Sequence, residues 1–296
     1  MSIETFDQAF VKDFSSAVNH LTQQTTSFFK PYVRERMVQG ESFDYNNLGA
    51  VKAQKKTSYN EDVKVTNAYH ERRGATLDTT YVALHIDGDV KKQMLLDLNS
   101  GYTQAVAAAM MRDYDITVAK AALGAVKTGK DLTTTTAFAG TTVDATSGLT
   151  YAKVLDIKEK FNAKGVGLFD DDKITVAISE KEMTNLLSDA TFKSKDFSHM
   201  FDYNTRRAGI ESSLGMKFIV LPSSPDNDTG ILQLSGGNRL CFAFSQKALQ
   251  VGIRHNLTLK VDELPNKVNT TQIKAYYGIG ALRTEDAHVI QINTTA

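Results

Sequence analysis

An α+β fold is the class this sequence predicts, and three observations predict it. A single alanine-rich run from Asn99 to Val126 has helical periodicity, the chain from Thr150 onward alternates strand and helix patterns, and its C-terminal part reads as successive strands.

The elements follow in order. From Thr5 to about Thr25 the residues Phe6, Phe10, Phe14, Val18 and Leu21 step by four and three, which places them along one side of an amphipathic helix with an aromatic packing face. Tyr32 to Gly40 reads as a strand. Up to Val90 the chain is then poor in large aliphatics and crowded with charge, including Lys52, Lys55, Lys56, Glu61, Asp62, Lys64, Glu71, Arg72 and Arg73. Within it Val63 to Val65 and Leu77 to Ile86 alternate with period two, as two limbs of a long hairpin would. An arm of this kind has no core of its own and needs a surface to lie on.

After a short lead-in at Lys91 to Leu96, Val106, Met110, Tyr114, Val118, Ala121 and Ala125 mark one face of a helix of about 28 residues, roughly 40 Å long. Gly124 and Gly129 break it, with Lys127 and Lys130 expected to answer its C-terminal dipole. Leu132 to Gly148 is a loop or irregular hairpin. Tyr151 to Ala163 is helical, Lys173 to Ser179 a buried strand, and Glu180 to Leu187 a helix capped by Ser179 with Glu182 at the capping-box position. Met216 to Leu221, Arg239 to Phe244 and Ala248 to Lys260 are strands. Gln272 to Arg283 and Ala287 to Ile292 are expected to form a closing hairpin around Thr284–Asp286.

Composition limits the function. The 296 residues hold 34 Lys+Arg and 34 Asp+Glu, a net charge of zero, with 42% hydrophobic residues, four Pro and one Cys. A chain of this size buries about three quarters of its unfolded surface, enough for one or two domains without disulfides or metals. No apolar run approaches the ~20 residues that cross a bilayer. The opening Met-Ser-Ile-Glu-Thr-Phe-Asp has acid where a secretory signal has base, so the chain is expected to stay where it is made and to meet no membrane. Proteins that grip nucleic acid usually carry a basic excess, which is lacking here.

Catalytic motifs are tested and set aside. Gly124-Ala-Val-Lys-Thr-Gly-Lys-Asp131 is one residue from a phosphate-binding loop, but Asp131 stands where a magnesium-binding Ser or Thr belongs, and the motif ends a helix instead of opening one. Asp170, Asp171 and Asp172 lack the alternate spacing of a calcium loop. The six histidines show no paired metal spacing, Gly-x-Ser-x-Gly is absent, and Cys241 lies among Leu240, Phe242 and Phe244 as a buried thiol would. No catalytic, cofactor or metal residue is assigned, and the chain is read as a non-enzyme.

The order of parts and several local stretches carry a resemblance. Asp87 to Asp97 leads into Tyr102-Thr-Gln-Ala-Val-Ala-Ala-Ala-Met-Met-Arg-Asp-Tyr-Asp115; Val176 to Asp189 is followed by Gly209 to Leu214 and Gly215-Met-Lys-Phe-Ile-Val-Leu-Pro222; and Ala275-Tyr-Tyr-Gly-Ile-Gly-Ala281 precedes His288-Val-Ile-Gln-Ile292. Along essentially its whole length the chain resembles the major capsid proteins of tailed bacteriophages, with the Hong Kong 97-type fold. The resemblance implies an N-terminal arm over residues 1–44, an extended β-hairpin loop over 45–86, a peripheral domain over 87–149 with a spine helix at about 97–128, an axial domain over 150–250, and return strands over 251–296 that complete the peripheral domain.

It further implies a coat protein that self-assembles through hexamers and pentamers into an icosahedral head shell around double-stranded DNA. Further partners would be a separate scaffolding protein, a portal and decoration proteins, with assembly in the host bacterial cytoplasm. An encapsulin-type compartment is the nearest rival, and a soluble nucleotide-handling enzyme built on Gly124 to Asp131 the rival from another class. Residues 50–75 hold six basic and three acidic residues, and residues 87–115 five Asp and three basic residues. The expected inter-subunit contacts are therefore Phe6, Phe10, Phe14, Lys55, Lys56, Lys64, Arg72 and Arg73, with Asp87, Asp89, Asp113 and Asp115 on the adjacent copy receiving the basic arm.

Overall fold

Sixteen strands and three α-helices form from these patterns among the residues that the computed structural model describes, which are 26–87, 98–168, 173–189, 201–204, 209–223, 230–264, 266–267 and 270–295. The predicted N-terminal helix, the lead-in at 91–96 and the aspartates at 170–172 lie outside them.

In chain order the elements are β1 (Arg34–Met37), β2 (Ser42–Leu48), β3 (His70–Thr76), β4 (Asp78–Asp87), α1 (Leu98–Leu123), β5 (Val126–Thr128), β6 (Thr134–Thr136), β7 (Thr141–Ala145), α2 (Tyr151–Ala163), β8 (Ile174–Ser179), α3 (Glu180–Ser188), β9 (Phe201–Asn204), β10 (Gly209–Ser213), β11 (Met216–Leu221), β12 (Leu234–Ser235), β13 (Asn238–Ser245), β14 (Leu249–Glu263), β15 (Thr270–Arg283) and β16 (Val289–Thr295).

Three sheets result. The largest runs β7-β16-β13-β8-β11-β10-β9, with β12 on the flank of β13. Its centre is β8, whose six residues are all buried, parallel to β11 and antiparallel to β13. A strand covered on both faces is a continuous apolar run, which is why Ile174-Thr-Val-Ala-Ile-Ser179 shows no alternation. The second sheet, β1-β14-β15-β4, lies along α1, which turns Val106, Met110, Tyr114 and Val118 inward, followed by Ala119 and Ala122. One apolar core joins α1 to both sheets, with Phe29 stacked 5.7 Å from Phe242 at its middle. The third sheet, β2-β3-β5-β6, covers a small separate cluster of Phe43, Leu77, Val126 and Leu282.

Several expectations need correction. The hairpin limbs are β2 and β3, paired from Ser42 with Thr76 to Leu48 with His70, whereas Val63–Val65 belongs to no strand and residues 78–87 cross into the second sheet against β15. The long helix stops at Leu123, since residues 126–128 pair as β5 with Arg73 and Gly74 of β3. Its last carbonyls are met by Arg283, not by Lys127 or Lys130: Nη1 donates to the oxygens of Ala122 at 3.0 Å and Gly124 at 2.7 Å. The run 132–148 forms β6 and β7, which join different sheets. Ser179 does cap α3, accepting from the Glu182 amide at 3.4 Å, but the Glu182 carboxylate accepts from the Leu149 amide at 2.8 Å instead of returning to the cap. Finally, β15 and β16 form no hairpin: β15 pairs with β14 and β4, and β16 with β13 and β7.

Candidate functional site

The part of the described chain least accounted for by its own fold is the arm beyond β2 and β3. Its last rung is the Gly49 amide on the Tyr69 carbonyl at 2.7 Å, and residues 50–69 contain no strand or helix. Lys55, Lys56 and Lys64 all lie on this segment, exposed, beside Tyr59, Val63 and Val65, which are 95%, 90% and 85% exposed. Three such side chains on one short segment form a surface that an isolated domain does not need.

The arm is nonetheless firmly aimed. At its base Arg73, 6% exposed, donates to Glu71 Oε1 at 2.8 Å and, through both terminal nitrogens, to Asp286 at 3.0 and 3.4 Å. Arg283, 1% exposed, donates from Nε to the same Asp286 at 2.6 Å, with its guanidinium 4.9 Å from the Phe138 ring centroid. Burial pushes the Asp286 carboxyl up, but the hydrogen bonds and charges of Arg73 and Arg283 outweigh it and hold the group below the usual carboxylate range. Asn47 Nδ2 reaches the Thr284 carbonyl at 2.5 Å, and Arg72 holds Asp44 at 2.8 Å and the Lys130 carbonyl at 2.9 Å. The hairpin is thereby tied to the end of α1 and to the turn between β15 and β16.

A second node sits in the C-terminal half of α1. Asp115, fully buried, accepts from Ser27 Oγ at 2.6 Å and from the Phe28 and Phe29 amides at 3.0 and 3.2 Å. Tyr277 donates to Asp113 at 2.6 Å, and Tyr114 to Glu35 at 2.8 Å. Desolvation first, and then these carboxylate partners, push both phenols far above their usual range. The helix thus holds the entering chain, β1 and β15 through three consecutive side chains.

Within the subunit the expected contact residues fall into two groups. Arg73 and Asp115 are buried in the subunit's own network, and Asp113 is engaged by Tyr277, so an arm from a neighbour would have to displace internal bonds to reach them. Lys55, Lys56, Lys64 and the partly exposed Arg72 stay on the surface, as does Asp87 at the end of β4. Phe6, Phe10, Phe14 and Asp89 lie outside the described residues. Sequence reasoning missed Asn47, Tyr277, Arg283 and Asp286. The charges around Thr284 were the available signal, but Arg73 is 213 residues away from Asp286 in the chain.

Catalytic geometry is weak. Ser245 Oγ lies 2.9 Å from His288 Nδ1, and Glu285 3.5 Å from Nε2, but Ser245 is completely buried and its oxygen also accepts from the Lys247 amide at 3.3 Å, so no substrate carbonyl reaches it. Burial pushes the Cys241 thiol up to about 11, which leaves it unreactive at neutral pH.

The comparisons agree with this picture. No curated protein matches the sequence significantly. The fold matches the capsid structure of cyanophage P-SCSP1u with a TM-score of 0.71 at 14% identity, covering 98% of this chain and 94% of that one. It matches the capsid of cyanophage Pam1 at 0.70 and 14% identity over 97% and 96%, and that of Ralstonia phage GP4 at 0.69 and 13% over 97% and 95%. Identities this low speak for the shared Hong Kong 97-type fold alone; the sequence itself is matched from residue 6 to 296 by the family model described as phage capsid protein. With one family model spanning nearly every residue, and a fold that leaves an anchored arm outside its own core, the chain belongs to the phage capsid protein family.

Proposed function

We propose that this chain builds the head shell of a tailed bacteriophage through hexamers and pentamers, closing an icosahedral container around double-stranded DNA. As a capsid protein it acts in the virion by associating with copies of itself. The observation that carries the finer reading is the arm of residues 49–69: exposed apolar and basic side chains on a hairpin whose base is fixed by buried ion pairs. A subunit that must overlap its neighbours needs a projecting element with a defined direction.

In this reading the parts are an N-terminal arm, the extended loop, the spine helix α1 with its sheet, and an axial domain around β8. Strand pairing favours ending the extended loop near Thr76, because β4 joins the sheet beside α1, and favours assigning β16 to the axial sheet. Overall neutrality suits a wall that encloses DNA without binding it tightly. A separate scaffolding protein, a portal and decoration proteins complete the proposed partners, with assembly in the host cytoplasm.

Light scattering with negative-stain electron microscopy of the purified chain, alone and with co-expressed candidate scaffolding protein, tests this. Closed shells or capsomer rings are expected. A stable monomer under every condition overturns it.

A further inference from the structure

The arm's end has an internal organisation that its surroundings do not impose. Glu61 folds back under the turn with its side chain only 17% exposed: its Oε2 accepts from the Thr57 amide at 2.5 Å, the Thr57 hydroxyl at 2.9 Å and the Ser58 amide at 3.3 Å, while Lys64 pairs with Oε1 at 3.1 Å. The chain reverses through Asn60 in the left-handed region, φ 63°. Below the turn, Gln54 Nε2 bridges to Thr66 Oγ1 at 3.0 Å. These bonds close a compact turn with Tyr59 at its apex and the Lys56 ammonium 5.7 Å from the ring centroid.

We propose that this turn is a preformed knob, with Tyr59 as the anchor that docks on a second copy of this chain and Glu61 as the positioning residue that holds the anchor ready. The inference rests on the shell function proposed above and adds the residues that determine contact. Three observations support it. The hydrogen-bonded turn fixes the backbone beneath Tyr59 and presents its ring, 95% exposed, to a partner, so backbone ordering costs little on docking. Glu61 is held down to about 2, largest of all by the Thr57 amide and then by Lys64, so the turn stays closed throughout the neutral range. Family and charge point to the chain itself as partner: a capsid protein associates with copies of itself, and residues 49–69 carry four lysines against Glu61 and Asp62, a net +2 that acidic side chains of a second copy would complement.

The test uses the full-length chain. In unassembled subunits Glu61→Ala should speed hydrogen exchange at the Thr57 and Ser58 amides about tenfold, with partial rescue by Glu61→Gln, whose amide oxygen still accepts. Tyr59→Ala should leave that exchange and the melting temperature unchanged while raising the concentration needed for shells or rings about tenfold or more. Wild-type exchange in Glu61→Ala overturns the positioning role. Assembly of Tyr59→Ala at the wild-type concentration overturns the anchor. A wild-type chain that forms neither shells nor rings overturns the shell function and the docking with it, while the exchange experiment still decides whether Glu61 holds the turn.

Discussion

Asp286 is the residue on which the arm's direction depends, because two buried guanidinium groups share its carboxylate. Removing the negative charge leaves Arg73 and Arg283 facing each other with only Glu71 to compensate. Asp286→Asn should therefore lower unfolding stability by about 3 kcal/mol, read by chemical denaturation. The same group sets a pH dependence. Its folded pKa lies below the ordinary 3.8, so its stabilisation is complete above that value and is lost as pH falls through the lowered one. Melting temperature should drop more steeply with acid below pH 3.8 in the wild type than in Asp286→Asn, where this titration is absent. An equal slope in both would show that other carboxylates dominate the acid limb.

At the scale of elements, the crossing of the hairpin over the second sheet depends on close backbone approach. A Cβ on Gly280 of β15 would lie 2.2 Å from the Thr76 carbonyl oxygen and 3.4 Å from the Leu77 Cα, where β3 hands over to β4. Backbone cannot move aside as a flexible side chain can. Gly280→Ala should cost about 2 kcal/mol or more and speed amide exchange along β3, since strand and turn must separate. The elements differ in how legible they were. Helix α2 matches its predicted range because it repeats its period over thirteen residues, and strand β11 because its short apolar run is closed by Gly215 and Pro222. The end of α1 was misjudged by a few residues because Val126 to Thr128 suit helix or strand locally, and the partner that decides is Arg73–Gly74. Likewise, Gln272–Arg283 and Ala287–Ile292 read as neighbours, and only the pairing shows them in different sheets.

For the whole molecule, the arm should be separable from folding but not from assembly. The apolar core and the buried ion pairs lie below the Gly49–Tyr69 rung, and residues 50–68 add no buried apolar side chain to either cluster. Replacing residues 51–67 by a short Gly-Ser linker should leave the melting temperature within a few degrees of wild type and abolish shells and rings, as judged by calorimetry and electron microscopy. Retained shell formation would place the essential contacts elsewhere on the subunit. Lys55 and Lys56 belong to this scale, since exposed charges of this kind contribute ~0–1 kcal/mol each and act through steering more than through strength.

The sequence by itself determined the class of fold, the long helix, the buried central strand, the charged arm and the resemblance to tailed-phage capsid proteins. Each of these is written in local periodicity, composition or chain order. Only the tertiary structure decided which limbs form the hairpin, where β15 and β16 go, and which charges face outward. Arg72 and Arg73 are adjacent and chemically identical, yet one bonds at the surface to Asp44 while the other is buried against Asp286. The reason is physical: alternation along a strand puts neighbours on opposite faces, but which face is interior depends on a turn more than two hundred residues away, and no local pattern encodes that meeting.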